Sequence, residues 1–271
     1  MSEVTDEQIA DWRSAIGRKI TEKQPLDRLA LQRYSRAVGL RDEGAETPLP
    51  HWAFFLPSPL DSAIGEDGHP MRGDFLPAIT LPRRMFAAAT ILFESPLETG
   101  LEGELTSEIT EVAHKSGRTG ELVFVEVTKT LSQSGSNRVQ ERQTYVYRGE
   151  GGPVPMPVPS VEEPQGEVWH PSEVNLFRFS AATYNGHRIH YDRPYATAVE
   201  GYPALVVHGP FTAARLAGLA MRDGQLASFS FRAIAPLFLG QKIYLRKISA
   251  TGVEAVRCDG VTAMQATVSY R

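Results

Sequence analysis

Between Phe179 and Ala196 the chain reads FSAATYNGHRIHYDRPYA, which gathers Asn185, His187, Arg188 and His190 into one short stretch. A second segment, VHGP, follows at Val207–Pro210. Histidine exchanges a proton near neutral pH, because its unperturbed pKa is about 6.5. An asparagine amide exchanges none there, yet it orients water or a carbonyl by hydrogen bonding. Arginine offers a two-pronged donor to a carboxylate or phosphate. His208-Gly209-Pro210 has the marks of a helix start. Proline is favoured in a first helical turn, where its missing N–H costs nothing, and the amides there are free donors carrying partial positive charge. These are the parts needed for proton transfer beside an oxygen on which charge develops. His187 and His190 are spaced HxxH, but without further fixed ligands that spacing is weak evidence for a metal, and none is expected.

Such groups need elements to hold them. Thr5-Asp6-Glu7-Gln8 fits a capping box and predicts a short helix running to Gly17. Asp27 reads as a second N-cap before RLALQRYSRAV, with Gly39 as the C′ residue. From Pro48 to Pro82 the chain is rich in proline, glycine and aromatics, an irregular excursion whose rings suit one wall of a pocket. AAATILFE, GELTSEITEVAHK, GELVFVEVTKTL and RVQERQTYVYR then read as strands. The proline-rich run Gly149–Gly166 has no helical or strand period and reads as a semi-rigid linker. This divides the chain into residues 1–150, a linker at 151–166, and residues 167–271. Beyond the linker, VNLFRFSAAT reads as a strand and Asp192 as the cap of a short helix. PALVVHGPFTAARLAGLAMR reads as one long buried helix, and QLASFSFRAIAPLFLGQKIYLRKIS and GVTAMQATVSYR return to strands.

A weak internal repeat links the halves. Pro96–Gly100 and Pro236–Gly240 both match PLxxG, and both halves close on similar endings, QTYVYR and ATVSYR. The expected fold is therefore α+β and duplicated, each half an antiparallel sheet wrapped around a central helix. In the first half the only candidate for that helix is the more polar LDRLALQRYSRAVGL, so one half is expected to be degenerate.

Composition narrows the function classes. The chain has 271 residues, a net charge of −4 and both signs spread along its length, so no concentrated basic face points to nucleic acid. Its single cysteine, Cys258, rules out an internal disulfide and a Cys-based zinc site. The acidic amino-terminal stretch lacks an apolar core of the secretory kind, and no apolar run approaches the ~18 residues of a membrane span. A reduced, cytoplasmic protein is expected.

FRFSAATYNGHRIHYDRPYA followed by GYPALVVHGP resembles the hydratase motif of MaoC-like hot-dog proteins. The branch it is most similar to contains mesaconyl-CoA and itaconyl-CoA hydratases and the mitochondrial-type 3-hydroxyacyl-thioester dehydratases, and LPRRMFAAA at Leu81–Ala89 resembles a segment of that branch more loosely. The resemblance implies a double hot-dog fold with the active site in the carboxy-terminal half. It implies reversible hydration of a 2-enoyl-CoA thioester, with CoA arriving as part of the substrate and no metal or redox cofactor. Two such halves can pair within one chain, and a further homodimer is plausible in kind. The family motif has an aspartate five residues before a histidine; here Asn185 stands in the aspartate's place and His190 in the histidine's. His190 would then carry the proton transfer, Asn185 would hold the water, and the Gly209 amide would stabilise the enolate oxygen.

Arg84, Arg188 and His208 are the candidates for binding the substrate, an Arg in particular for the free carboxylate of a dicarboxylic monothioester. His187 reads as a loop or supporting residue and Asp192 as a helix cap. Two other functions compete. A thioesterase of this fold could use an Asn/His/Cys set, with Asn185 and His190 as two members and Cys258 the only available third. A non-catalytic acyl-thioester binder would explain an asparagine where the motif has an aspartate.

Overall fold

Residues 4–39, 46–117 and 120–271 are described by a computed structural model. Alternation of apolar and polar residues with a period of two dominates Arg83–Arg148 and sets the architecture. Before the segment 149–166 lie β1 (Lys19–Pro25), β2 (Arg83–Phe93), β3 (Glu102–Gly117), β4 (Gly120–Gln133) and β5 (Ser136–Arg148). After it come β6 (Glu167–Trp169), β7 (Leu226–Ala233), β8 (Ile243–Ser249), β9 (Gly252–Arg257) and β10 (Thr262–Tyr270). The segment itself has no helix or strand. All the strands join one antiparallel sheet in the order β1-β3-β4-β5-β2-β7-β10-β9-β8-β6.

That order is the same in both halves. Counted within its own half, each set of five runs first, third, fourth, fifth, second, and the two second strands meet at the centre. The seam pairs Ala88–Leu92 of β2 with Ser228–Arg232 of β7. The PLxxG repeats occupy equivalent places, each between the second and third strand of its half. Gly100 and Gly240 there have φ of +89° and +88°, a left-handed backbone that favours glycine.

Among the described residues four α-helices complete the fold: α1 (Asp6–Arg13), α2 (Arg28–Ala37), α3 (Glu173–Thr183) and α4 (Gly209–Ala220). The Thr5–Gln8 capping box forms, but α1 ends at Arg13, and the chain turns so that the Gly17 N–H donates to Ile109 O at 2.8 Å. Asp27 caps α2 through Leu29 N and Ala30 N at 3.0 and 3.2 Å. Gly39 follows its end with φ of +85°.

Three expectations give way. VNLFRFSAAT is helical, not extended: Ser172 and Asn175 form a capping box, and Leu176, Phe179 and Ser180 recur on one buried face while Val174 and Phe177 face out. The expected long helix begins only at Gly209, because Pro210 belongs in a first turn and disfavours helix before it. Residues 203–204 form a bend instead, and Val206 bridges Phe238. Strands β1 and β6 carry no apolar alternation and were not expected: β1 is almost wholly exposed and β6 has only three residues.

The apolar α4 lies against β7, β8, β9, β10 and β2, with Leu216, Ala213, Ala214, Ala217 and Ala220 fully buried, a helix wrapped by a sheet as expected. In the first half α2 packs chiefly on α3 and on the 3-10 turn Pro50–Ala53. The inner side of β3, β4 and β5 is thereby left as the wall of a cavity. Trp12 of α1 belongs to a second core with Ile109, Val123 and Val125. Among the described residues no helix is long and apolar enough to cross a membrane. Because Leu216 is fully buried where α4 meets the sheet, Leu216→Ala is expected to cost about 2–5 kcal/mol, read as a lower urea midpoint at unchanged slope.

Candidate active site

A cavity of about 1480 Å³ runs between the halves. Its walls include Asn185, His187, His190 and Gly209 from the second half, and Asp67, His69 and Arg84 from the first. The excursion between Pro48 and Pro82 does line it, through His51, Trp52, Phe54, Phe55 and the 67–71 turn.

His190 closes a 3-10 turn, Arg188–His190, directly after α3. α3 ends because Tyr184 takes a left-handed conformation, φ 49°, and Asn185 then begins a turn. The His190 ring is buried, and its Nδ1–H donates to Val206 O at 2.7 Å. That bond fixes the tautomer and leaves Nε2 with a lone pair. Burial pushes His190 down to about 4 against a smaller upward pull from the Val206 carbonyl, so the ring is neutral at ordinary pH. Its face stacks on His208, centroids 3.6 Å apart.

His208 precedes α4 and is wholly buried. Its Nε2 pairs with Ser180 Oγ at 2.8 Å, and Nδ1 has no hydrogen-bond partner among the described residues. His208, expected to bind substrate, is not on the cavity wall; its ring lies against the face of His190. The next residue, Gly209, is on the wall, and its N–H donates to no protein acceptor among the described residues. A Cβ there would meet only Phe86 O, at an ordinary 3.8 Å, so protein packing does not itself demand glycine.

Asn185 Oδ1 accepts from His187 N at 3.0 Å, and its Nδ2 makes no hydrogen bond among the described residues. Arg188, likewise expected to bind substrate, is engaged elsewhere. It is absent from the wall, its Nη2 and Nε donating to Asp192 Oδ2 at 2.7 and 3.0 Å and its guanidinium lying 4.1 Å from the Tyr195 ring centroid. Asp192 meanwhile accepts from Tyr195 N at 3.1 Å, the capping role expected of it. Arg84 is on the wall, half-buried, and pairs with no carboxylate among the described residues. Its neighbour Arg83 is committed to Glu200 at 3.2 Å. Cys258 is buried against Pro157 O and off the cavity wall, so no Asn/His/Cys set is assembled.

Sequence reasoning missed the titratable groups that the first half brings to the cavity. Asp67 Oδ2 accepts from His69 Nδ1 at 3.0 Å, and the His69 ring lies 3.9 Å from that of His187, which in turn meets His190 edge-on at 5.3 Å. Asp67, His69 and His187 lie within 4.8 Å of one another, close enough for a ligand set, but Asp67 is spent on His69. Elsewhere on the cavity wall Glu141 is buried, accepting from Trp52 Nε1 at 3.1 Å and touching His51 at 3.3 Å. No local pattern marks these residues, because only the fold brings 67–69 beside 187 and 51 beside 141.

Comparison with known proteins agrees with this architecture. Residues 47–239, more than half of the chain, match the family model for hydroxyacyl-thioester dehydratase type 2. The chain is 43% identical to mesaconyl-C(4)-CoA hydratase of Chloroflexus aurantiacus, over 96% of this chain and 98% of that one. Among solved structures, HtdX of Mycobacterium tuberculosis aligns with a TM-score of 0.68 at 20% identity, covering 93% of this chain and 99% of its own. A second protein of that organism, described as having a double hot-dog fold, aligns at 0.54 and 12% identity over 93% and 95% of the two chains. The fold is therefore the double hot-dog, and the chain belongs to the hydroxyacyl-thioester dehydratase type 2 family.

Proposed function

We propose that the protein adds water reversibly across the double bond of a 2-enoyl-CoA thioester bearing a second, free carboxylate, with mesaconyl-CoA the leading candidate. One observation carries the reading: His190 Nδ1 is spent on Val206 O, so a bare Nε2 shares a cavity wall with the free amide that opens α4. In this reading the Asn185 amide holds a water molecule. His190 Nε2 takes a proton from it as its oxygen bonds to the β-carbon. The double-bond electrons move toward the thioester carbonyl, whose oxygen is held by the Gly209 N–H at the positive end of α4, and the α-carbon of that enolate then takes up a proton to complete the addition. No redox cofactor enters this route, and CoA comes and goes with the substrate.

The acyl group is suggested by Arg84, a half-buried cation on the wall without a carboxylate partner among the described residues. A free carboxylate on the substrate would complete that pair, and the relative with 43% identity is named for such a substrate. The polar inner end, with Glu141, Gln143 and Lys129, is a poor lining for a long alkyl chain.

Incubation with mesaconyl-CoA, itaconyl-CoA and crotonyl-CoA tests the reading. Loss of conjugated-enone absorbance without free thiol is expected, and thiol release or mere binding would overturn it. His190→Ala should lower kcat by about 10²–10⁴-fold. Arg84→Gln removes a charge-assisted contact of about 1.5–3 kcal/mol, so KM for the dicarboxylic substrate should rise by roughly tenfold to a hundredfold while that for crotonyl-CoA stays within about twofold.

The pH dependence follows from burial. With His190 held at about 4, kcat/KM should show no acidic limb at the ordinary histidine value and fall only as pH approaches about 4. Burial also pushes His69, His187 and His208 down. The unfolded chain therefore binds protons at about pH 6.5 that the native state refuses, and stability should fall steadily from about pH 6.5 toward pH 4. Urea midpoints measured across that interval check the sign.

A further inference from the structure

Asp67-Gly68-His69 and Asn185-Gly186-His187 are two copies of one local device, one from each half. In each, the first side chain accepts from the backbone N–H of the histidine, at 2.9 Å for Asp67 Oδ1 and 3.0 Å for Asn185 Oδ1. The glycines lie backbone to backbone: a Cβ on Gly68 would meet Gly186 O at 1.9 Å, and one on Gly186 would meet Gly68 O at 2.8 Å. Gly68 also has φ of +84°. The histidine rings then meet with centroids 3.9 Å apart and planes tilted by 37°. Arg188 fastens the turns together, its N–H donating to Asp67 O and its Nη1 to Glu66 O, both at 2.9 Å. Gly65 N→His69 O and Met71 N→Ala63 O, each 2.8 Å, close the base of the 64–70 turn. This turn is built into the site and cannot be an incidental neighbour of it.

The copies differ in one atom set. Asp67 has a second oxygen, and it accepts from His69 Nδ1 at 3.0 Å. Asn185 backs no imidazole, and His190 is backed only by the neutral Val206 carbonyl. We propose that Asp67 and His69 form a second acid–base pair of the active site, delivered by the first half and doing the proton exchange that Asn185 cannot. The proposal rests on the hydration reading above.

The assignment of roles follows from what backs each ring. A carboxylate on Nδ1 favours the imidazolium form, a carbonyl does so less, so His69 is the donor and His190 the acceptor. In hydration, His190 Nε2 takes a water proton as the new C–O bond forms at the β-carbon. The π pair becomes an enolate at the Gly209 amide, and its α-carbon takes the Nε2 proton of His69. One proton has been taken and one given, leaving His190 charged and His69 neutral. The cycle closes when His190 gives its proton to solvent and His69 regains one from solvent. Burial pushes His69 down, Asp67 pulls it up, and the charges of Arg84 and Arg72 push it down again. A substrate carboxylate seated at Arg84 cancels one of those charges, so the donor form is favoured when substrate is bound.

Asp67→Asn and His69→Gln, each checked for native melting, are assayed with mesaconyl-CoA across pH beside the wild type. His69→Gln is expected to lower kcat by about 10²–10⁴-fold with KM changed by less than about threefold. Asp67→Asn keeps an acceptor but removes the charge, so its kcat should fall and the basic limb of its kcat profile should move to lower pH. A purely structural turn would lower both yield and kcat without moving that limb. If either variant folds and keeps wild-type kcat, or if the Asp67→Asn limb stays put, the pair has no catalytic part while the hydratase reading stands. If chelation abolishes the wild-type activity and zinc restores it, the three side chains hold a metal and the pair is refuted. If the wild type hydrates no enoyl-CoA, both readings fall together.

Discussion

The site depends on a reciprocal bond between a turn and an extended segment. The Val206 N–H donates to Ile189 O at 3.0 Å, and Val206 O accepts from His190 Nδ1 at 2.7 Å. The segment is itself locked to the chain before β8, through Val207 N→Leu237 O at 2.8 Å and Leu239 N→Leu205 O at 2.9 Å. Because Val206, Val207, His208 and Gly209 are consecutive, one stretch of backbone fixes the tautomer of His190, supports its ring face and presents the free amide. A shift of that stretch would disturb all three. A buried imidazole needs at least one partner to offset its desolvation, and here the partner belongs to the same stretch as the oxyanion donor.

The duplicated sheet explains why the cavity has two different walls. In the second half α4 fills the concave side of the strands, and its amino terminus is what the cavity touches. In the first half no helix among the described residues lies there; β3, β4 and β5 expose Leu105, Val127, Glu141 and Tyr145 to the space instead. The excursion between Pro48 and Pro82 closes the opening with aromatic side chains, Trp52 packing edge-on against Phe86 and Phe231. The loss of one helix therefore makes room for an acyl group, and the surviving helix supplies the dipole.

Legibility in the sequence tracked how local each signal was. The caps at Thr5 and Asp27, the β2–β5 strands, the PLxxG pair and the motif residues Asn185, His190 and Gly209 are written in contiguous residues, and the structure brings the last three to one cavity. The helix over Glu173–Thr183 was misread because VNLFRF offers apolar residues at both periods, and the Ser172 cap decides between them. A helix read from Pro203 starts too early because apolarity alone does not separate the non-helical 203–208 from helical 209–220. Arg188 and His208 carry the right chemistry for binding, but Asp192 and Ser180 claim them. Asp67 and His69 stood in plain view in EDGHP, yet their meaning depends on a contact across more than a hundred positions.

Four imidazoles in a row, His69, His187, His190 and His208, make an unusual demand on the surrounding electrostatics. Like charges at such separations repel strongly in a medium of low dielectric. Arg84 adds a further positive charge that disfavours protonation of His69 and His187. The resting row is therefore held near neutrality, and among the described residues the only carboxylate in contact with it is Asp67, at one end. The opposite end is closed by Ser180, which is neutral and hydrogen-bonded to the buried His208. Such an arrangement biases positive charge away from the core and toward the junction of the two halves. His190 sits on the unfavoured side of that gradient, where a proton taken from water is readily given up again. A group that must both take and release a proton within one reaction cycle is best held there. The buried, partner-poor environment that costs the fold stability is thus the same one that keeps His190 neutral and ready.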